Sequence, residues 1–162
     1  MSQLSASVID YRGRTVDYLA FDDARAQGDA LLTQTLVKEG QSGALITGIE
    51  KLVQRFLIEL LTEQGSLNYQ LNRGTFFMTA LRTGVVRTSL DLFAAFSSAE
   101  LDVRDNLRLE EDFQNDPEDE RYGEATLISA SLLGDTATLT INVSSVAGES
   151  RTVIYPLRVA AI

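Results

Sequence analysis

The chain has 162 residues, 44% of them hydrophobic, and a formal net charge of −9, which is enough for one compact domain with a buried core. It contains no cysteine and no histidine, which excludes disulfides, thiolate chemistry, the commonest metal ligand and the usual general base at neutral pH. So acidic a chain is a poor partner for nucleic acid, and no run of about 18 apolar residues is present to cross a membrane.

The N-terminal MSQLSASVIDYRGR has no long apolar core, so no secretory signal is read there and a soluble protein made in the cytoplasm is expected. Arg14–Phe21 is β-rich, with Val16, Tyr18 and Ala20 on one face and Leu19 and Phe21 on the other. Asp22-Asp23, Ala24, Ala26 and Gly28 break the pattern, and Leu31–Val37 predicts a second, weaker strand. Gly40 to Gly43 reads as a polar linker. Residues 1–43 are therefore read as N-terminal strands or an arm, and residues 44–162 as the main unit of a single compact body.

Thr47 followed by Glu50 is a candidate capping box. Ile49, Leu52, Val53, Phe56, Leu57, Leu60 and Leu61 then recur at helical spacing, with Glu50, Lys51, Gln54, Arg55 and Glu59 assigned to the polar side. Gly65 is read as the left-handed stop, followed by an irregular connection through Asn68, Tyr69 and Asn72 to a second glycine, Gly74. Gly65, Tyr69 and Gly74 are thus the candidate structural loop. Thr75–Leu81 predicts a short helix stopping at Gly84. Val85–Phe113 predicts one long helix or two. Ser97 with Glu100 would cap a second helix, whereas Leu92, Phe96, Ala99, Val103 and Leu107 form an unbroken stripe.

An acidic run follows, Glu110-Glu111-Asp112 and Asp116-Pro117-Glu118-Asp119-Glu120, closing with Arg121 and Tyr122. Taken alone it reads as a solvated linker. Glu124–Leu133 places Thr126, Ile128, Ala130 and Leu132 on one face of a strand, and Gly134-Asp135 is a turn signal. Thr136–Val143 alternates Ala137, Leu139, Ile141 and Val143 with polar residues. After a turn at Ala147-Gly148-Glu149, Arg151–Leu157 gives a third strand, which Pro156 either ends or places at a sheet edge. The fold class is α+β: amphipathic helices packed on the dry face of a C-terminal three-strand antiparallel meander, with N-terminal strands.

The helix containing Gly48-Ile49-Glu50-Lys51-Leu52-Val53-Gln54, then Leu61-Thr62-Glu63-Gln64-Gly65, then Gly74-Thr75, resembles the small baseplate wedge protein of contractile-tailed bacteriophages and the related wedge component of type VI secretion baseplates. The resemblance covers roughly residues 44 to 157 and extends to the order of elements. It implies a structural protein of the virion tail, packed beside other wedge proteins near the tube or hub in a six-fold assembly, that holds the first sheath ring by sharing strands with sheath subunits. That family carries a Glu-Pro-Arg signature between its last long helix and its hairpin. The nearest match here is Glu118-Asp119-Glu120-Arg121, with the proline displaced to Pro117, and it makes Glu120 and Arg121 candidate partner-binding residues. Strand sharing adds Ile154 and Tyr155, beside an open edge.

An enzyme is the competing class. A glycoside hydrolase needs two carboxyl groups across a cleft, one of them in an apolar setting. Of 23 Asp and Glu residues, only Glu59 and Asp91 lie in strongly apolar stretches, and both are read as solvent-facing. Tryptophan is absent, as are a nucleophile elbow and phosphate-loop or dinucleotide motifs. The Asp112–Glu120 acids do not follow a calcium-loop spacing. No catalytic residue, metal or cofactor is assigned. A small regulatory protein competing for a basic surface is the remaining alternative.

Overall fold

The computed structural model describes residues 15–18, 37–38, 41–42 and 45–159. Strand β1 (Asp17–Tyr18) pairs antiparallel with β4 (Leu45–Ile46), and β2 (Val37–Lys38) pairs with β3 (Gln41–Ser42). Gln41 and Ser42, read as linker, are thus strand residues. The readings for 19–36 lie outside the described residues.

Helix α1 (Ile49–Leu61) starts at Gly48, whose φ of 61° is open to glycine at little steric cost. The capping box read at Thr47 and Glu50 does not form. The Thr47 hydroxyl donates to Glu120 instead, and Glu50 pairs with Arg151. Nor does Gly65 end the helix. The chain turns extended at Thr62 (φ −74°, ψ 126°), because Glu63 forms a parallel bridge with Thr75, closed by Thr75 N–H to Thr62 O at 2.8 Å and Gln64 N–H to Thr75 O at 3.0 Å. Gly65, at φ 81°, serves the small turn that follows.

Helix α2 (Phe77–Arg82) is the short helix expected, with Gly84 just past its end at φ 70°. Helix α3 (Ser89–Glu111) is one continuous element of 23 residues. Its capping box is Thr88 with Asp91, while Ser97 lies inside the helix and donates to Phe93 O at 2.9 Å. Leu92, Phe96, Ala99, Val103 and Leu107 are its buried stripe. No helix among the described residues is long and apolar enough to cross a membrane.

A short 3-10 turn (Glu118–Glu120) leads into the sheet, whose strands β5 (Tyr122–Leu133), β6 (Thr136–Ser145) and β7 (Ser150–Arg158) lie antiparallel in the order β5-β6-β7. The molecule is α+β, with the helices on the dry face. On β6, Ala137, Leu139, Ile141 and Val143 are all at 0% exposure, so the central strand fixes the core. Pro156 sits on the edge strand β7, the place in a sheet where a residue without an N–H is tolerated. Strand β5 departs from its alternation. Leu127 pairs with Ile141 but Ser129 with Thr140, so Ile128 is an extra residue in a bulge. The bulge switches parity: Ala125 and Leu127 pair with the buried Val143 and Ile141 before it, and Ala130 and Leu132 with the buried Leu139 and Ala137 after it. Thr126 and Ile128, read as sharing a face with Ala130 and Leu132, are therefore exposed. Phe56 of α1 joins the layers, stacked on Tyr122 at 6.0 Å between ring centroids and tilted against Phe96 at 6.3 Å.

Candidate functional site

The acidic junction is mostly folded structure. Pro117 opens the 3-10 turn at φ −56°, and the turn delivers Glu120 to the start of α1, where its side chain is completely buried. One carboxylate oxygen accepts from Thr47 Oγ1 at 2.8 Å and from Gly48 N–H at 3.2 Å. The other accepts from Lys51 Nζ at 2.9 Å and from the Thr15 hydroxyl, which in turn accepts from Lys51. A carboxylate at a helix N-terminus meets unpaired amides and the positive end of the helix dipole. Burial alone would raise the pKa of Glu120, but the donors from Thr15, Lys51, Thr47 and Gly48 outweigh it and hold the group below the ordinary carboxylate range.

Arg55, one helical turn further along α1, gathers the rest. Its guanidinium lies 3.1 Å from Glu110, 3.8 Å from Glu111 and 3.3 Å from Asp116, and it donates to the Glu120 carbonyl at 3.2 Å. Three carboxylates thus share one cation. Burial pushes the Glu111 carboxyl upward, aided by Asp116 and opposed by the Tyr122 N–H, Arg55 and Arg121.

Arg121 is partly exposed, with its Nε buried. Its side chain is 39% exposed and only loosely paired with Glu118 at 3.7 Å, and its Nε has no hydrogen-bond partner among the described residues. Its backbone is fixed nonetheless, since Val146 N–H donates to Arg121 O at 3.0 Å and Ala147 N–H to Glu118 O at 3.3 Å. Adjacent residues of the acidic junction thus divide: Glu120 locks inward and Arg121 stands at a corner beside the half-exposed Val146.

A second buried carboxylate lies at the far end of α1. Glu59, assigned from sequence to the solvent side, is 2% exposed. One oxygen accepts from Arg73 Nε at 2.9 Å and Nη2 at 2.8 Å, the other from Gly74 N–H at 2.8 Å and Asn106 Nδ2 at 2.6 Å. It ties the loop after α1 to α3. The signal was present in the sequence: Glu59 is three residues from Phe56 and seven from Leu52, the spacing of the buried face. Asp91 is a capping residue, held below its ordinary range by the Arg87 N–H and the Thr88 contacts. The two carboxylates of the apolar stretches therefore have separate structural tasks.

In the candidate loop, Gly74 at φ 85° approaches Thr62 so closely that a Cβ would lie 2.4 Å from its carbonyl oxygen, whereas Gly65 faces open space. Tyr69 is 99% exposed at the loop tip. On β7, alternation sends Tyr155 into the core and leaves Ile154 outside, so the two are not one surface. Burial raises the Tyr155 pKa. Among the described residues no group of three or more acidic side chains is placed to hold a metal ion.

Compared with known proteins, the chain matches no protein-family model, no curated protein and no solved structure.

Proposed function

We propose that this protein is a non-enzymatic structural component of a contractile tail baseplate, a wedge-like part that joins its neighbours and helps to anchor the first sheath ring. The observation that carries the reading is the split at Glu120 and Arg121, where the sequence resembles the Glu-Pro-Arg signature of the wedge family. The glutamate is spent inside, fastening the turn to the start of α1. The arginine is half-exposed on a backbone pinned by the turn between β6 and β7. A pre-positioned guanidinium with unspent donors suits a partner's carboxylate or carbonyl groups, because its planar fork loses little further freedom on binding. The long edge of β7, with Ile154 outward, suits main-chain pairing with an added strand.

The deciding experiment is quantitative peptide mass spectrometry on purified tail-containing particles from cells that make the protein. A fixed low copy number in multiples of six supports the reading. Protein that stays free in the lysate while particles lack it defeats the reading.

A further inference from the structure

Thr15–Tyr18 is held on the body of the protein by a short strand pair and two polar anchors. Asp17 and Tyr18 pair with Ile46 and Leu45. The Thr15 hydroxyl bonds Glu120 and Lys51, and Gln54 Nε2 donates to the Asp17 carboxylate at 3.0 Å. Thr15 and Asp17 stand two apart, so an extended segment presents both to the same side. The receiving groups belong to the body of the protein. Gln54 and Ile46 are each 3% exposed, and Glu120 keeps Thr47, Gly48 and Lys51 without help from Thr15.

We propose that β4, Lys51, Gln54 and Glu120 form a strand-acceptor site for a Thr-x-Asp segment, and that its occupant is exchangeable, the Thr15–Tyr18 segment of a second copy taking the place of the chain's own. Main-chain pairing to β4 supplies attraction. The hydroxyl at Glu120 and Lys51 and the carboxylate at Gln54 set the register. The connection from Tyr18 to Leu45 spans residues 19–44, a contour of at most about 90 Å, so donor and acceptor need not belong to one copy. Exchange makes the same contacts it breaks, and the advantage of the resident segment is its effective concentration, on the order of millimolar for a linked segment. Copies held side by side in an assembly offset that advantage. The inference stands apart from the tail reading, since it concerns only how this chain binds itself.

The test uses the full-length chain and a fluorescein-labelled peptide of residues 12–20, followed by anisotropy. Thr15→Ala with Asp17→Ala in the protein weakens the resident segment and leaves the acceptor intact, so it should bind the peptide at least tenfold more tightly than the parent. Adding Gln54→Ala, or replacing the threonine and aspartate of the peptide, should abolish that gain. No binding to the folded double variant, or binding indifferent to Gln54, overturns the proposal. A second test avoids dependence on that variant's folding. The chain has no cysteine, so Tyr18→Cys and Leu45→Cys proteins, altered at cross-strand partners that leave Thr15, Asp17 and Gln54 in place, can be mixed at high concentration and treated with a short thiol cross-linker. Mixed dimers in excess of those from each protein alone support exchange. Their absence, with efficient intrachain linkage of the Tyr18→Cys, Leu45→Cys double variant, refutes it.

Discussion

Replacing Glu59 by glutamine tests whether this buried carboxylate is a structural tie. The side chain keeps its shape, but one oxygen that accepts two donors becomes an NH₂ that accepts none. If the NH₂ turns toward Gly74 and Asn106, bonds of 2.8 and 2.6 Å are lost and the Gly74 amide is left buried. If it turns toward Arg73, the guanidinium loses its contacts, but Arg73 is 27% exposed and has Glu110 3.6 Å away to fall back on. The second orientation is cheaper and should be adopted. Hydrogen bonds to a charged group contribute about 1.5–3 kcal/mol each when buried, and the partial exposure of Arg73 reduces that, so the expected loss is about 2 kcal/mol. Glu59→Ala strands the Gly74 amide as well and leaves a cavity, for about 3–5 kcal/mol. At about 2–4 °C per kcal/mol for a chain of this size, Glu59→Gln should lower Tm by about 4–8 °C. Urea unfolding of Glu59→Gln, Arg73→Ala and the double variant gives the coupling directly. A loss below about 0.5 kcal/mol for Glu59→Gln, with no coupling to Arg73, refutes the reasoning.

The carboxylates of the acidic junction should differ in their pH response. Glu120 is held below the ordinary carboxylate range, so its contribution is fully present above the unfolded pKa of about 4.3 and is lost as pH falls through the folded value. Glu120→Gln should therefore be destabilising at pH 7, with the gap to the parent closing below about pH 4 in pH-dependent urea melts. Glu111 is shifted upward, so its ionisation weakens the fold as pH rises through the window above about 4.3, and Glu111→Gln should cost clearly less than Glu120→Gln at pH 7. Gly65→Ala should cost only the left-handed penalty of about 1–2 kcal/mol. Gly74→Ala should cost more, because its Cβ meets the Thr62 carbonyl, and equal Tm shifts would refute that. Arg121→Ala should unfold within about 1 kcal/mol of the parent, given its exposed and loose pairing, yet enter particles less efficiently. Normal incorporation of that variant removes Arg121 from the proposed interface.

What the sequence disclosed follows from where the controlling interactions lie along the chain. The buried stripe of α3 and the alternation of β6 are local periodicities, and each is found where it was read. The cap of α1 is not local. Thr47 and Glu50 have the right spacing for a capping box, but Glu120, 72 residues beyond Gly48, reaches the amide first and leaves Thr47 to support it. The end of the same helix was misread for a similar reason. Gly65 satisfies the local rule, while the pairing of Glu63 with Thr75 has already drawn the chain out at Thr62. In β5, one extra residue at Ile128 reverses the face of the stretch from Glu124 to Leu127, a second irregularity before Glu124 restores it at Tyr122, and a period-two reading has no means of locating a bulge.

Glu59 and Glu120 share a physical logic. Each is a buried carboxylate that accepts four donors drawn from more than one segment: the loop after α1 and α3 for Glu59, and the N-terminal segment, the approach to α1 and α1 itself for Glu120. A buried ion pair adds little net stability over an apolar replacement, but an unpaired one is severely costly, so such a group disfavours arrangements in which most of its donors are missing. The carboxylates therefore specify how the two ends of α1 sit against the rest of the protein more than they strengthen it. Glu59→Gln and Glu120→Gln should therefore loosen the loop at Gly74 and the segment at Thr15 before they loosen the core. Hydrogen exchange at the Gly74 and Tyr18 amides, measured beside that of Ile141 in the core, separates the two effects. Faster exchange at the ends with an unchanged core is the expected pattern, whereas uniform acceleration would mean that these carboxylates hold up the whole fold.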